Sequence, residues 1–255
     1  MDTWPSWLEN ELRSEGLSVN VWNAGRAGST LRDHLKYLKD RGLDIKPDLV
    51  ILQYTPNDIP DYRACLPPNR QRRTVESLRP TTIVNNTALI LLWVRLTTPI
   101  DSATGETTVQ SATRGDDLCS YTTPDFWYGD QREALNPLIE MYRQDLTEAT
   151  SYLDTNNVPL LFVMIPDHVL IHNNYENEQG KLLEEMIDDI GYGHFFDLTP
   201  LFEEIDDIEA LYLLAKSNEI DDQPFVGNGH PSRYGYSTVG RGIAPVAMEM
   251  IREAD

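Results

Sequence analysis

Three short stretches hold the residue types that chemistry needs. Val226–Tyr236 reads VGNGHPSRYGY, with His230 between a Gly/Asn-rich approach and a Pro-Ser step. A helix-like run, Ser232 to Ala254, follows at once. A histidine held on a turn ahead of a helix is positioned yet reachable, as a general base must be. Asn23–Thr30 (NAGRAGST) and Gln53–Asp58 (QYTPND) each follow a short apolar run. Gly28 precedes a helix N-terminus, where its backbone N–H can face an oxyanion with help from the helix dipole. It equally fits a tight turn made with Gly25. Asn57 can donate a side-chain amide to a developing negative charge without titrating; it also suits a turn or a cap. Asp58 reads as a brace for that loop. A base and two oxyanion donors are equipment for acyl transfer.

The other histidines offer less. His34 falls mid-helix and His194 opens a strand. His168 and His172 follow the apolar run Val158–Ile165, and their i, i+4 spacing suits a metal on a helix, but no H-E-x-x-H pattern accompanies them. Cys65 and Cys119 lie in the least regular part of the chain and read as two thiols, or as a disulfide if the protein is exported.

The positioning elements follow from periodicity. Thr3 and Pro5 start a helix with Trp4, Leu8 and Leu12 on one face, and Gly16 ends it. Ser18–Trp22 (SVNVW) reads as a short strand. Thr30 with Asp33 fits a capping box, and Leu31, Leu35 and Leu38 give the next helix a buried face, down to about Gly42. Asp48–Tyr54 (DLVILQY) reads as a strand covered on both faces. Strand, helix, strand with short connections implies a parallel α/β sheet. Further helices are expected over Gln131–Asn156, Tyr175–Ile190 and in one or two acidic pieces through Ser217. Further strands are expected at Val158–Ile165 and His194–Leu198. Residues from about 60 to 130, apart from a helix-like Ile83–Leu96, read as an irregular insertion over one end of a single domain spanning 1–255.

Composition sets outer bounds. The chain has 255 residues, 40% of them apolar, enough for one sizeable core. Its formal net charge is −20, from 41 acidic and 21 basic residues. Such a surface repels nucleic acid and anionic membranes. The longest apolar run, Ala88–Val94, is far short of the roughly 20 residues a membrane span needs. The opening MDTWPSWLENEL has neither a basic n-region nor an apolar h-region, so no signal peptide is read in the chain as printed.

Taken in order, the three stretches resemble the SGNH (GDSL-type) hydrolases. NAGRAGST resembles the N-x-G-x-x-G-x-T segment of that family, which implies an oxyanion glycine at Gly28. YTPND resembles G-x-N-D with its first glycine replaced, which implies the oxyanion asparagine at Asn57. GHPSRYGY resembles H-P-x-x-x-G-H/Y, which implies the base at His230. The resemblance runs from about Thr3 to Arg252 and implies a three-layer, flavodoxin-like parallel sheet. It implies a serine-type ester hydrolase or acyltransferase acting on a lipid, acetylated sugar or small ester, with no cofactor or metal.

Two features depart from the pattern. The string G-D-S occurs nowhere among the 255 residues. The triad carboxylate is expected two or three residues before the histidine, where Asn228 and Gly227 stand. Asn228 can orient an imidazole but cannot stabilise its charge; Asp222 or Asp221 is the nearest substitute. In a 2-1-3-4-5 strand order, the strand that ends in G-D-S lies between the second and third. Its absence would leave two buried strands without partners, at about 1–3 kcal/mol per unmet group. That reads as an N-terminally shortened enzyme rather than a natural pseudoenzyme. Two other classes stay open: a binding protein on the same fold, and a nucleotide-binding α/β protein using NAGRAGST as a phosphate cradle. The latter lacks G-x-G-x-x-G and G-K-[ST].

Overall fold

The computed structural model describes residues 3–26, 29–63, 123–213 and 230–254. The chain divides into two units, residues 1–62 with 122–255 and residues 63–121; of the second, only Arg63 is described. The readings made for Ile83–Leu96, Cys65 and Cys119 therefore lie outside the described residues.

Three parallel strands form one sheet in the order β1 (Val50–Tyr54), β2 (Leu160–Met164), β3 (His194–Asp197). Val50 pairs with Leu160 through to Tyr54 with Met164, and Leu161 pairs with His194 through to Met164 with Asp197. Side chains alternate between the two faces of a strand, and here that alternation makes three layers. Leu161, Val163 and Ile165 join Leu8 and Leu12 of α1 (Trp4–Ser14) and Val239, Ile243 and Ala247 of the C-terminal helix in one buried cluster. Tyr54 and Phe162 point to the other side, where Tyr54 meets both Tyr142 (ring centroids 5.8 Å apart) and Phe162 (6.5 Å).

The remaining elements fit around these layers. α2 (Leu31–Tyr37) continues into a π-helical turn, Leu38–Gly42, and buries Leu31, Leu35 and Leu38 as their spacing predicts. A 3-10 turn, Pro60–Tyr62, and α3 (Thr123–Trp127) precede α4 (Asn136–Thr155), which carries Tyr142. α5 (His168–His172) follows β2, and α6 (Glu178–Ile190) leads into β3. α7 (Thr199–Glu203) and α8 (Ile208–Leu211) follow β3. α9 (Arg233–Ala254) is the helix expected over 232–254.

The first helix behaves as its sequence requires. Pro5 sits in its first turn. Gly16 closes it at φ +88°, a left-handed conformation that favours glycine, with Gly16 N–H donating to the Arg13 carbonyl (3.0 Å) and Leu17 N–H to the Leu12 carbonyl (3.1 Å).

The expected strand at Ser18–Trp22 is corrected: these residues form no strand. Three of their polar groups are met by side chains of α1 rather than by a ladder. The Arg13 guanidinium donates to the Val19 carbonyl (2.8 and 3.0 Å) and to Asn20 Oδ1 (3.1 Å), and Val21 N–H donates to Glu9 Oε2 (2.7 Å). Val19 and Val21 still pack against the buried cluster. β1 has a strand partner on one side only among the described residues. It is accordingly less enclosed than a strand covered on both faces: Leu52 and Tyr54 are buried and its other residues half-buried, while β2 is buried throughout.

Candidate active site at the carboxyl end of the sheet

Asn57 leaves the carboxyl end of β1 in a tight, heavily bonded turn. Asp58 N–H donates to the Thr55 carbonyl (2.8 Å), and Thr55 N–H donates back to Asp58 Oδ2 (2.9 Å). Asp58 is thus the brace that its position implied. The Thr55 hydroxyl lies 3.0 Å from Asn57 Oδ1 and 3.1 Å from Asp58 Oδ1. Asn57 Nδ2 donates to Asp61 Oδ2 (2.8 Å). The Trp127 indole N–H donates to the Pro56 carbonyl (2.8 Å), pinning the turn to α3.

His230 is exposed and sits on a strap held from both sides. Its carbonyl accepts from Leu213 N–H (2.8 Å), and Ser232 N–H donates to the Leu211 carbonyl (2.8 Å). Pro231 bridges antiparallel to Tyr212. Ser232 then caps α9, its hydroxyl oxygen accepting from Gly235 N–H (3.1 Å). Gly235 has a steric reason to be glycine: a Cβ there would stand 2.1 Å from the Leu211 carbonyl oxygen and 3.0 Å from Pro231 Cβ. The Tyr212 hydroxyl donates to the Pro166 carbonyl (3.0 Å), two residues beyond the end of β2. Through Tyr212, the strap is tied to the chain leaving the strand next to β1.

The glycine loop is described on either side of Gly28. Gly25 N–H donates to Asn23 Oδ1 (3.0 Å), and Ser29 N–H donates to the Arg26 carbonyl (3.1 Å). At the head of α2, Thr30 N–H donates to Asp33 Oδ2 (3.0 Å). Thr30 lines a small cavity of about 160 Å³ together with Arg32, Asp61, Tyr62 and Met141. The end of the glycine loop and the segment after Asn57 therefore border one space. Gly28 itself, and both triad-acid candidates, Asn228 and Asp222, lie outside the described residues.

Two features at this end of the sheet were not read from the sequence. One is a polar chain of buried and half-buried groups. Tyr54 Oη donates to Gln179 Oε1 (3.1 Å), Gln179 Nε2 donates to Tyr128 Oη (2.9 Å), and the Tyr128 hydroxyl donates to Asp167 Oδ1 (3.2 Å). Asp167 caps α5 by accepting from Leu170 N–H (2.8 Å). Burial pushes the Asp167 carboxyl above its ordinary range, against the downward pull of those donors. Burial, reinforced by the Asp167 charge, pushes the Tyr128 phenol up as well. The other feature is a histidine stack. His168 and His172 lie ring to ring on α5 (5.0 Å, 20°), with Tyr212 edge-on to His168 at 5.5 Å. Among the described residues, no group of three or more metal-ligating side chains gathers.

The family described as GDSL-like Lipase/Acylhydrolase matches residues 1–243. The chain belongs to this family. It is thereby a member of the SGNH hydrolase superfamily, and the mixed helix–strand architecture with three parallel strands agrees with an SGNH-type α/β fold. Searches of curated proteins and of solved structures found no significant match. Membership suggests a small-molecule ester as substrate. Among the described residues, no helix is long and apolar enough to cross a membrane.

Proposed function

We propose that this SGNH-family chain serves a serine-type ester hydrolase or acyltransferase reaction, within a single domain carrying an insertion at about 60–130. One observation carries the reading: Asn57 leaves β1, and the His230 strap is tied by Tyr212 to the chain leaving the neighbouring β2. Ligands of open α/β sheets gather at that end. In the reaction, a serine hydroxyl attacks the acyl carbonyl while His230 takes its proton. The carbonyl oxygen becomes an oxyanion held by the Gly28 N–H and the Asn57 amide. The tetrahedral centre then collapses, and the departing alcohol oxygen takes the proton from His230. Water, or an acceptor alcohol, repeats the sequence on the acyl-serine. Asn228 or Asp222 orients the imidazole. The net charge of −20 disfavours nucleic acid as a partner.

The nucleophile is the member that the family's G-D-S supplies, and that string is absent from the 255 residues. Its absence supports a second reading, an SGNH-fold protein that binds without turnover. The test compares this chain with the same chain extended by whatever is encoded upstream of Met1. The readouts are fluorophosphonate labelling and p-nitrophenyl acetate hydrolysis. The proposal expects neither activity from the 255-residue chain and both from the extended one. In the extended protein, His230→Ala abolishes turnover and Asn57→Ala lowers kcat by about 10²–10³. If Asn228 only orients the ring, Asn228→Asp raises activity and Asp222→Ala changes little; if Asp222 is the acid, Asp222→Ala is the damaging change. An inert extended protein favours the binding reading. Robust labelling of the 255-residue chain overturns the assignment of roles, since some other residue, for instance Ser29 or Ser232, would then have to be the nucleophile.

A further inference from the structure

We propose that Asp61 is a positioning residue for Asn57: its carboxylate fixes which way the Asn57 amide faces and so presents one N–H to the reacting centre. The proposal rests on reading Asn57 as an oxyanion donor.

An asparagine amide has an acceptor and a donor of nearly equal size at its two ends. Turned the right way, it offers an N–H to an oxyanion; turned over, it offers an oxygen and repels one. Free rotation would therefore halve the productive population and loosen the rest. Both ends of Asn57 are engaged. The Thr55 hydroxyl is 3.0 Å from Oδ1, and Asp61 Oδ2 accepts from Nδ2 at 2.8 Å. A flipped amide would set its oxygen against the Asp61 carboxylate. An NH2 group carries two hydrogens, so donation to Asp61 uses one and leaves the other for an oxyanion.

Asp61 is itself placed for this task. It is 8% exposed, and its backbone N–H donates to the Asn57 carbonyl (2.8 Å), closing the turn that carries it back onto Asn57. The next residue anchors that turn: the Tyr62 hydroxyl donates to Asp145 Oδ2 on α4 (2.6 Å), and Asp145 also accepts from Arg32 Nε (3.0 Å). At the other end, Trp127 holds the Pro56 carbonyl. The segment 55–62 is thus tied down at both ends, and the Asn57–Asp61 bond spans its middle. Arg32, which is ion-paired with Asp145 (3.0 Å), lines the same cavity as Asp61.

Two measurements test the assignment. In the 255-residue chain, Asp61→Ala should speed hydrogen exchange of the Asn57 side-chain amide, followed by 15N NMR, about tenfold, the worth of one ordinary hydrogen bond. Asp61→Asn, which keeps an acceptor oxygen, should leave most of the protection. In the labelling-competent extended protein, Asp61→Ala should lower kcat about tenfold, less than removal of the donor itself, with KM within about twofold, and Asp61→Asn should recover most of the loss. In an Asn57→Ala background, Asp61→Ala should cost nothing further, because the two act as one unit. Equal losses in both backgrounds, or unchanged amide exchange, would overturn the proposal. If Asn57→Ala leaves kcat unaltered, the oxyanion reading fails instead; the amide exchange then decides by itself whether Asp61 orients Asn57.

Discussion

Replacing Gly235 by alanine tests whether the His230 strap is held as described. On helix propensity alone the change should help, by about 1 kcal/mol, since Gly235 lies in the first turn of α9. The structure says otherwise. The added Cβ would stand 2.1 Å from the Leu211 carbonyl oxygen, against an ordinary C···O approach of about 3.3–3.6 Å. The opposing atom is backbone, so it cannot rotate away as the tip of a side chain could. A separation of more than about 1 Å is needed, and it falls on the Ser232 N–H bond to Leu211 and the Leu213 N–H bond to His230. Losing two such bonds costs about 1–3 kcal/mol, and overpacking adds about 1–3 kcal/mol. After the propensity gain, the net destabilisation is about 1–5 kcal/mol. At its centre, near 3 kcal/mol, that corresponds to a fall in Tm of about 6–12 °C. Urea unfolding monitored by tryptophan fluorescence measures it directly. A Gly235→Ala protein as stable as the parent, or more stable, would refute the close approach and the steric account of this glycine.

Two further outcomes follow, one from the tie of the same strap and one from two histidines. Tyr212→Phe removes the phenol that donates to the Pro166 carbonyl; it should cost about 1–3 kcal/mol in urea unfolding by leaving a buried acceptor unmet, and an unchanged midpoint would show that the tie carries nothing. His34 and His168 are both held below the ordinary histidine value of 6.5. Burial is the main cause for each, opposed by Asp33 at His34 and reinforced by His172 at His168. The unfolded chain therefore takes up protons first as pH falls, so the stabilisation is full above about pH 6.5 and is lost as pH drops towards the folded values. The urea midpoint should decline from pH 7.5 to 5.5, and His34→Gln with His168→Gln should flatten that decline; a midpoint that rises towards pH 5.5 would contradict the sign.

The sheet was legible because its signals are local. Val50–Tyr54 and Leu160–Met164 sit in apolar runs, His194–Asp197 centres on the Phe195–Phe196 pair, and the Thr30/Asp33 spacing announces the start of α2. Ser18–Trp22 shows where local signals stop. Its alternation does turn Val19 and Val21 towards the core, but a strand is defined by a ladder, and a ladder needs a neighbour that periodicity cannot supply. Side chains of Glu9 and Arg13 met the backbone instead. Helix α5 is five residues long, too short for a period to register.

The candidate site divides along the same line. His230 and Asn57 stand in stretches whose turn chemistry can be read from the chain, because Gly, Pro, Asn and Asp punctuate them. The residues that hold them cannot be read this way. Tyr212 acts on the His230 strap from 18 positions earlier in the chain, through a phenol that reaches Pro166, 46 positions away. Asp145 reaches the Asn57 segment from α4, 83 positions beyond Tyr62. Asp58, next to Asn57, was readable as a brace, and Asp61 left a second trace, since NDIPD spaces it four residues after Asn57, the separation that lets a turn fold back on itself. A carboxylate at that spacing beside a candidate amide donor is a supporting contact that reading the chain could have proposed. The rest depend on which strands adjoin, and here that means β1 lying next to β2.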